Sequence, residues 1–189
     1  MQIGGRTNGH GDVGRLAGMA ALGFVAGVAA TQARKVAMQT PSIAAGDWVD
    51  ALKAEHRMVE KLFQTLSSTT EGQAMKREMI LAKIAYALNK HAIEEENVVY
   101  PAISHSTQHD EAGRLSEEHA QIKTCIYDLR MINPADPRWL MRAKEFERLV
   151  REHVREEEDE IFPLFQDSLS QGENAKLTTM LNWEGFKVA

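Results

Sequence analysis

Four histidines and two glutamates recur at matching spacings in two halves of the sequence. Residues 91–101 read HAIEEENVVYP and residues 153–163 read HVREEEDEIFP, so a His-x-x-x-Glu motif and an aromatic-Pro pair repeat at an offset of 62. A Glu-His pair precedes each motif, at residues 55–56 and 118–119. Imidazole and carboxylate groups without thiolate suit iron or manganese better than structural zinc. The candidate metal ligands are therefore His56, His91, Glu95, His119, His153 and Glu157.

Each candidate ligand interrupts the apolar stripe of a predicted helix. In the first helix His56 shares a face with Leu52 and Val59, and three later helices repeat this pattern. A single histidine on such a face is usually a hydrogen-bonded core residue. Ionised glutamate in an apolar interior is costly unless it is paired or metal-bound. Six such residues on converging faces predict two metal ions, each held by two histidines, with both carboxylates bridging.

The elements that position these ligands are predicted to be helices. Asp47 is a plausible N-cap for the first helix, and Asp136 followed by Pro137 opens the fourth. The repeated motifs predict an all-α fold, an up-down four-helix bundle with internal duplication and approximate twofold symmetry. The expected helices cover about residues 47–68, 73–104, 110–131 and 136–169, with a short C-terminal helix at about 173–182.

Composition excludes several classes of protein. The chain has 189 residues, 22 Lys+Arg, 27 Asp+Glu, a net charge of −5 and one Cys. The length is sufficient for one domain with a full core. A single Cys excludes a disulfide scaffold and a Cys-only zinc site. The acidic balance argues against nucleic acid as a partner, because phosphate binding needs clustered Lys and Arg.

The N-terminal segment differs from the rest of the chain. We predict a disordered tail at residues 1–15, a hydrophobic Gly/Ala-rich helix at 16–38, a linker at 39–46, the bundle at 47–169 and a C-terminal helix or tail at 170–189. Residues 16–33 fit a membrane anchor, with the bundle on the cytoplasmic side. Two alternatives stay open, a cleaved signal peptide with periplasmic export and a soluble helix packed on the domain or a partner.

The six ligands and the Tyr100-Pro101 and Phe162-Pro163 pairs resemble the hemerythrin-like HHE cation-binding family over about residues 47–169. The resemblance implies an up-down four-helix bundle with a non-haem di-iron centre. Oxygen carriers of the family have a second histidine on the third helix, where this chain has Lys123. In this respect the chain is similar to the iron-sensing and iron-centre-repair branches. The resemblance then implies an open coordination position that favours redox reaction with O2, peroxide or nitric oxide.

The predicted function is binding or sensing of O2, nitric oxide, peroxide or iron by two iron ions, with manganese or zinc as alternative metals. Two other functions stay open: a di-iron redox enzyme (peroxidase, oxidase or iron-centre repair), and a structural subunit of a membrane assembly with a vestigial site. The acidic residues beside the motifs, among them Glu94, Glu96 and Glu158, are expected on an outer face. Glu60 is either a partner of the site or a surface residue, and it is one candidate to pair with Lys123. Tyr86 and Tyr127 are the tyrosines considered as candidates to reach the site.

Overall fold

The computed structural model describes residues 31, 33, 35, 39 and 42–189. This part of the chain is helical and contains no strand, which confirms the all-α class. A short 3₁₀ turn, Glu71–Gln73, precedes the second long helix. The α-helices from residue 48 onward are α1 (Trp48–Ser67), α2 (Ala74–Glu94), α3 (Tyr100–Ser104), α4 (His109–Met131), α5 (Trp139–Glu156), α6 (Phe162–Ser168) and α7 (Gln171–Val188).

The predicted tail at residues 1–15, and the hydrophobic helix as far as residue 30, lie outside the described residues. Thr31, Ala33 and Lys35 of the predicted helix are described and are helical. Among the described residues, no helix combines the length and hydropathy that a bilayer crossing requires.

Two helix starts show how local capping sets the boundaries. The Asp47 carboxylate accepts a hydrogen bond from the backbone N–H of Asp50, which confirms Asp47 as the N-cap of α1. The prediction that Asp136 caps the fourth helix is wrong, since α5 begins at Trp139. The Asp136 carboxylate instead accepts from the backbone and guanidinium N–H groups of Arg138. Residues 136–138 form a local Asx turn. Helix α5 therefore begins at Trp139, two residues later than the predicted start at Pro137.

Two π-helical turns, Glu95–Val99 and Glu157–Ile161, join α2 to α3 and α5 to α6. In each turn the backbone N–H after the turn, from Tyr100 or Phe162, bonds the carbonyl five residues back. A proline follows directly in both copies and has no N–H to donate to the helix. The wider turn lets the helix continue through the proline, and such π-bulges are frequent at functional sites. Each turn begins at a predicted ligand.

The four long helical segments enclose a core that has two apolar parts. Helix α1 packs against α2 and α5, and α4 packs against the same two helices. One apolar cluster includes Phe63, Trp139 and Phe146, and the other includes Trp48 and Phe162. On every one of the four segments the predicted ligands lie between residues of the first cluster and residues of the second. The polar groups therefore form a layer between two apolar regions.

Helix α7 is longer than the predicted C-terminal helix and covers one side of this layer. Ser170 and Glu173 form a capping box that fixes its start. The helix packs against α1, α2 and the first π turn. Gly185 permits the close approach, because a Cβ at this position would lie 1.8 Å from Oε1 of Glu94.

Candidate metal centre

The structure brings the six predicted ligands into one buried cluster with two overlapping halves. His56 and His91 belong to one group of potential ligands, and His119 and His153 belong to the other. Both groups include Glu95 and Glu157, and within each group the ligand atoms lie within 4.8 Å of one another. Neither carboxylate has any solvent exposure. Two groups of potential metal ligands therefore share the same two buried carboxylates.

Each shared carboxylate approaches one histidine of each pair. Oε2 of Glu95 lies 3.1 Å from Nε2 of His91 and 3.2 Å from Nε2 of His119. Oε2 of Glu157 lies 3.5 Å from Nε2 of His56 and 3.4 Å from Nε2 of His153. The i, i+4 spacing on one helix supplies half of these contacts, and helix packing supplies the other half. Each glutamate therefore lies between a histidine of one group and a histidine of the other.

Every histidine of the cluster also contacts a carboxylate on its outer side. A carboxylate oxygen can only accept, so Nδ1 carries a proton in each ring, and in a neutral ring the lone pair of Nε2 then faces the centre. Such partners orient metal-binding imidazoles and raise their basicity. The Nδ1-to-oxygen distances are 2.8 Å for His56 to Glu158, 3.1 Å for His91 to Glu55, 3.0 Å for His119 to Glu96 and 2.7 Å for His153 to Glu118.

The donor atoms fit a metal ion better than they fit one another. The Nε2 atoms of His56 and His91 are 2.9 Å apart, and those of His119 and His153 are 3.1 Å apart. In neutral rings these atoms carry lone pairs that face each other and need a proton or a metal ion between them, and two ligands about 2.1 Å from one metal lie about 3 Å apart when they are adjacent. Oε1 of Glu95 and Oε2 of Glu157 are buried without a hydrogen-bond partner. Each of the two carboxylates therefore keeps a buried oxygen that could coordinate a metal.

Without metal, the cluster shifts the pKa values of its members strongly. Burial alone would lower the pKa of His91, but the charge of Glu95 and the hydrogen bond with Glu55 outweigh it and raise this pKa well above its usual value. The pKa of His153 is raised in the same way, with Glu157 and Glu118 acting against burial. Burial would raise the pKa of Glu95, but the two imidazoles beside it lower that pKa well below its usual range. In the metal-free protein, protons on imidazole therefore replace part of the missing positive charge.

Tyr100 contacts the predicted metal ligands, whereas Tyr86 and Tyr127 were the tyrosines named as candidates from the sequence. The Tyr100 hydroxyl donates to Oε1 of Glu157 at 2.6 Å and lies 3.1 Å from Nε2 of His119. Burial and the two neighbouring carboxylates raise the pKa of Tyr100 well above its usual value, so the phenol is neutral without metal. Tyr127 is 62% exposed, and the Tyr86 hydroxyl donates to the Val188 carbonyl. In the sequence, the aromatic-Pro pair that follows each motif was the feature that could have identified Tyr100.

Buried ion pairs hold Glu55, the carboxylate that accepts from Nδ1 of His91. Nζ of Lys90 lies 2.6 Å from Oε1 of Glu55 and 2.6 Å from Oε1 of Glu94. The pKa of Glu55 falls well below its usual range because its contacts with His91 and Lys90 outweigh burial. Burial and repulsion from Glu55 raise the pKa of Glu94 to about 8, despite the opposing charge of Lys90. Gln39 also donates to Glu94.

In the second half Glu118 takes the place of Glu55, and the cation that contacts it is an arginine. Arg114 donates to Glu118 and Glu156, and all three side chains are partly exposed. Lys90 comes from the helix of its histidine, whereas Arg114 comes from the helix of its carboxylate. The two halves therefore have the same types of potential ligand, and they differ in how deeply the surrounding charged side chains are buried.

Several expectations about the neighbouring residues are corrected. Glu96 and Glu158 were expected on an outer face, but both contact ligand histidines, and Glu94 is fully buried. Glu96 and Glu158 directly follow Glu95 and Glu157 in the π turns, whereas Glu94 ends α2 and lies against α7. Glu60 pairs with Arg151 at 3.4 Å, while Lys123 pairs with Glu96 at 2.6 Å. Lys123 therefore pairs with a nearby carboxylate, but with Glu96 and not with the candidate Glu60.

A small cavity adjoins the four histidines. Its volume of about 10 Å³ is enough for one water-sized molecule. Apart from the histidines its walls are mostly aliphatic, and Lys123 and Asn89 reach it from the surface. The aliphatic residues are Val59, Leu88, Ala92, Ile122, Val150 and Val154.

An all-helical fold with a buried, duplicated His/Glu cluster defines a cation-binding helical domain. The family model of the hemerythrin HHE cation binding domain matches residues 47–165, so the chain belongs to this family. A crystal structure of a hemerythrin HHE cation binding domain-containing protein from Mycobacterium kansasii has the same fold. It superposes with a TM-score of 0.67 at 19% identity and covers 76% of this chain and 87% of that one.

A curated relative is longer than this chain. A DNA nickase from Nostoc sp. (strain PCC 7120 / SAG 25.82 / UTEX 2576) is 26% identical over 130 residues, which is 69% of this chain. The match covers 36% of the nickase.

Proposed function

We propose that the chain is a non-haem di-iron protein that binds or senses a small ligand such as O2, nitric oxide or peroxide. In this proposal the four long segments form an up-down four-helix bundle with an internal duplication. The iron ligands are His56 and His91 at one position, His119 and His153 at the other, and the bridging carboxylates Glu95 and Glu157.

One observation carries the proposal: both groups of potential ligands use the same two buried carboxylates. A single mononuclear site would need three or four donors around one point, whereas six donors are arranged here around two. The donor set of nitrogen and oxygen atoms suits iron and manganese, and zinc accepts it as well. Family membership supports cation binding without deciding which cation is bound.

The protein groups hold and orient the ligands of such a centre. When bound, the two iron ions would supply exchange of electrons and an open coordination position for a small ligand. Outer carboxylates such as Glu118 keep each imidazole with its Nε2 lone pair directed inward. Tyr100 supplies a proton donor beside Glu157. The aliphatic walls around the cavity limit the water that reaches this position.

Metal analysis of the full chain tests the proposal. Anaerobic titration of the metal-free protein with ferrous iron should end at two ions per chain, and oxidation should give the absorption of a coupled di-iron centre. Replacing the shared ligand Glu95 with Gln should abolish the binding of two ions. His109→Ala is the matched control, since His109 lies exposed at the start of α4 and should leave the stoichiometry unchanged.

Two outcomes contradict the proposal. Binding of one ion per chain, or binding that survives Glu95→Gln unchanged, would show that the carboxylates do not bridge. An absence of tight binding of iron, manganese and zinc would show that the cluster is vestigial.

The alternative, a redox enzyme, is favoured by Tyr100. A neutral phenol in contact with two ligand carboxylates can donate a proton to a reacting oxygen species. Multiple turnovers of peroxide by the iron-loaded protein, with loss of turnover in Tyr100→Phe, would support the enzyme. Stoichiometric binding without turnover would support the sensor. The activity named for the longer relative is not proposed here, because the acidic charge balance opposes binding to a phosphate backbone.

A further inference from the structure

The cavity beside the four histidines is symmetric in its inner walls and asymmetric where it meets the surface. The internal repeat pairs Val59 with Ile122 and Leu88 with Val150, and all four line the cavity. The repeat also pairs Ala92 of α2 with Val154 of α5. The smaller side chain therefore lies on the α2 side of the cavity and the larger one on the α5 side. This difference distinguishes two routes to the surface.

On the α1–α5 seam, formed by Glu60, Arg151 and Val154, the cavity lining includes no exposed residue. A surface groove of about 330 Å³ lies outside it. His56, Val59, Val150 and Val154 line both the groove and the cavity, so these side chains form the wall between them. Arg151 and Glu60, which pair across the two helices, line the groove and not the cavity.

On the α2–α4 seam, formed by Asn89, Ala92 and Lys123, the cavity reaches the surface residues directly. Ala92 leaves room where the other seam has Val154. Among the described residues that line the cavity, Asn89 and Lys123 are the exposed ones. The Lys123 side chain is therefore the outer wall, and it is 45% exposed.

Lys123 is held over the cavity by one surface ion pair. Its ammonium lies 2.6 Å from Oε1 of Glu96, the same oxygen that accepts from Nδ1 of His119. An exposed ion pair contributes little stability and opens readily. Exposed side chains change rotamer within nanoseconds. Breaking this one contact lets the lysine move without displacing any buried group.

We infer that small ligands reach the centre through the α2–α4 seam and that Lys123 is the gate. This inference rests on the proposed function, because it concerns the ligand of the same di-iron centre. A gate controls rates and leaves the equilibrium unchanged, since it lowers or raises one barrier for entry and exit alike. This property separates a gate from a residue that contacts the bound ligand.

The test uses the iron-loaded full chain and nitric oxide, a neutral probe, with the diferrous protein. Lys123→Ala should raise both the association and the dissociation rate constants by about tenfold and leave Kd within about twofold. Ala92→Val, which gives this seam the side chain of the other, should lower both rate constants. Azide binding to the diferric protein, followed by its charge-transfer absorption, should be slowed in both directions by Ala92→Val, which leaves the charge of the seam unchanged.

The internal repeat provides the matched control. Glu60→Ala removes the residue equivalent to Lys123 on the α1–α5 seam and should change neither rate constant by more than about twofold. Iron content is measured for each variant, and Lys123→Ala at an exposed position should retain two ions. If Ala92→Val does not fold, Lys123→Met supplies a second comparison and should accelerate binding less than Lys123→Ala.

Four results would overturn the inference. Faster binding in Glu60→Ala together with unchanged rates in Lys123→Ala would place entry at the α1–α5 seam. A change of Kd in Lys123→Ala at an unchanged association rate would make Lys123 a contact of the ligand and not a gate. If the wild-type protein loads iron but binds neither probe, the proposed function and the gate both fail, whereas normal binding with unaffected variants refutes the gate alone.

Discussion

The Tyr100 hydroxyl donates to Oε1 of Glu157 across the two halves of the repeat, at a distance of 2.6 Å. The equivalent residue in the second half, Phe162, has no hydroxyl and packs edge-on against Trp48. The aromatic residues that end the two repeated motifs therefore differ in one oxygen atom. Tyr100 gives the cluster a proton donor that the second motif does not supply.

Tyr100→Phe should lower the stability of the metal-free protein by about 1–2 kcal/mol, because Glu157 loses a buried hydrogen bond and keeps its buried charge. Thermal or urea unfolding of the metal-free protein measures this change. Tyr127→Phe, at an exposed tyrosine of α4, is the control and should stay within about 0.5 kcal/mol of wild type. Equal effects of the two substitutions would contradict the role of the Tyr100 hydroxyl.

The sequence predicted the ligands because helical periodicity places them. The spacing of His91 and Glu95 puts both on one face, and the apolar residues before and after them make that face the buried one. Their outer partners could not be predicted in the same way. Glu55 is adjacent to His56 but contacts His91 on another helix, a pairing that depends on how α1 and α2 pack.

The π turns explain the other differences between sequence and structure. A regular helix through residues 91–104 would turn Glu96 and Tyr100 away from the positions that they occupy around the widened turn. Pro101 is visible in the sequence, but a proline alone does not specify that the preceding turn widens into a π turn. The burial of Lys90 and Glu94 depends on α7, whose packing follows from Gly185 and not from any feature of α2.

The outer carboxylates should tune metal affinity. Glu118→Gln replaces the acceptor for Nδ1 of His153 with a neutral group and should weaken metal binding about 10- to 100-fold. Competition with a chelator of known affinity measures the change. The neighbouring Glu117 is exposed, so Glu117→Gln is a control with the same change of charge. An equal loss in both variants would indicate a general charge effect in place of the proposed orientation of His153.

The contact between α7 and Glu94 should be intolerant of a single methyl group. Gly185→Ala would place its Cβ against Oε1 of Glu94, which Lys90 holds in position, and should destabilise the protein by about 1–3 kcal/mol. Gly172→Ala, in the first turn of the same helix, meets no atom within 4 Å and should stabilise by about 0.4–1 kcal/mol. Unfolding of both variants at the same pH measures the difference. Similar values of either sign would show that α7 does not pack on Glu94.

The metal-free and metal-loaded proteins should respond to pH in opposite directions. The pKa values of His91 and His153 are raised above the usual 6.5 in the metal-free fold, where burial is outweighed by carboxylates. Their stabilising contribution is fully present below 6.5 and is lost as the pH rises through the raised values. Glu94 acts in the same direction between 4.5 and its raised pKa of about 8, since the fold favours its neutral form.

The unfolding free energy of the metal-free protein should therefore fall as the pH rises from about 6 to about 8. Glu95 does not reverse this trend, because its lowered pKa makes a contribution that is already complete above 4.5. Metal binding requires neutral imidazole, so the stabilisation by iron should grow over the same range. Melting temperatures of both forms across this range measure the two slopes. A metal-free protein that becomes more stable as the pH rises would show that the buried imidazoles do not carry protons in place of the metal.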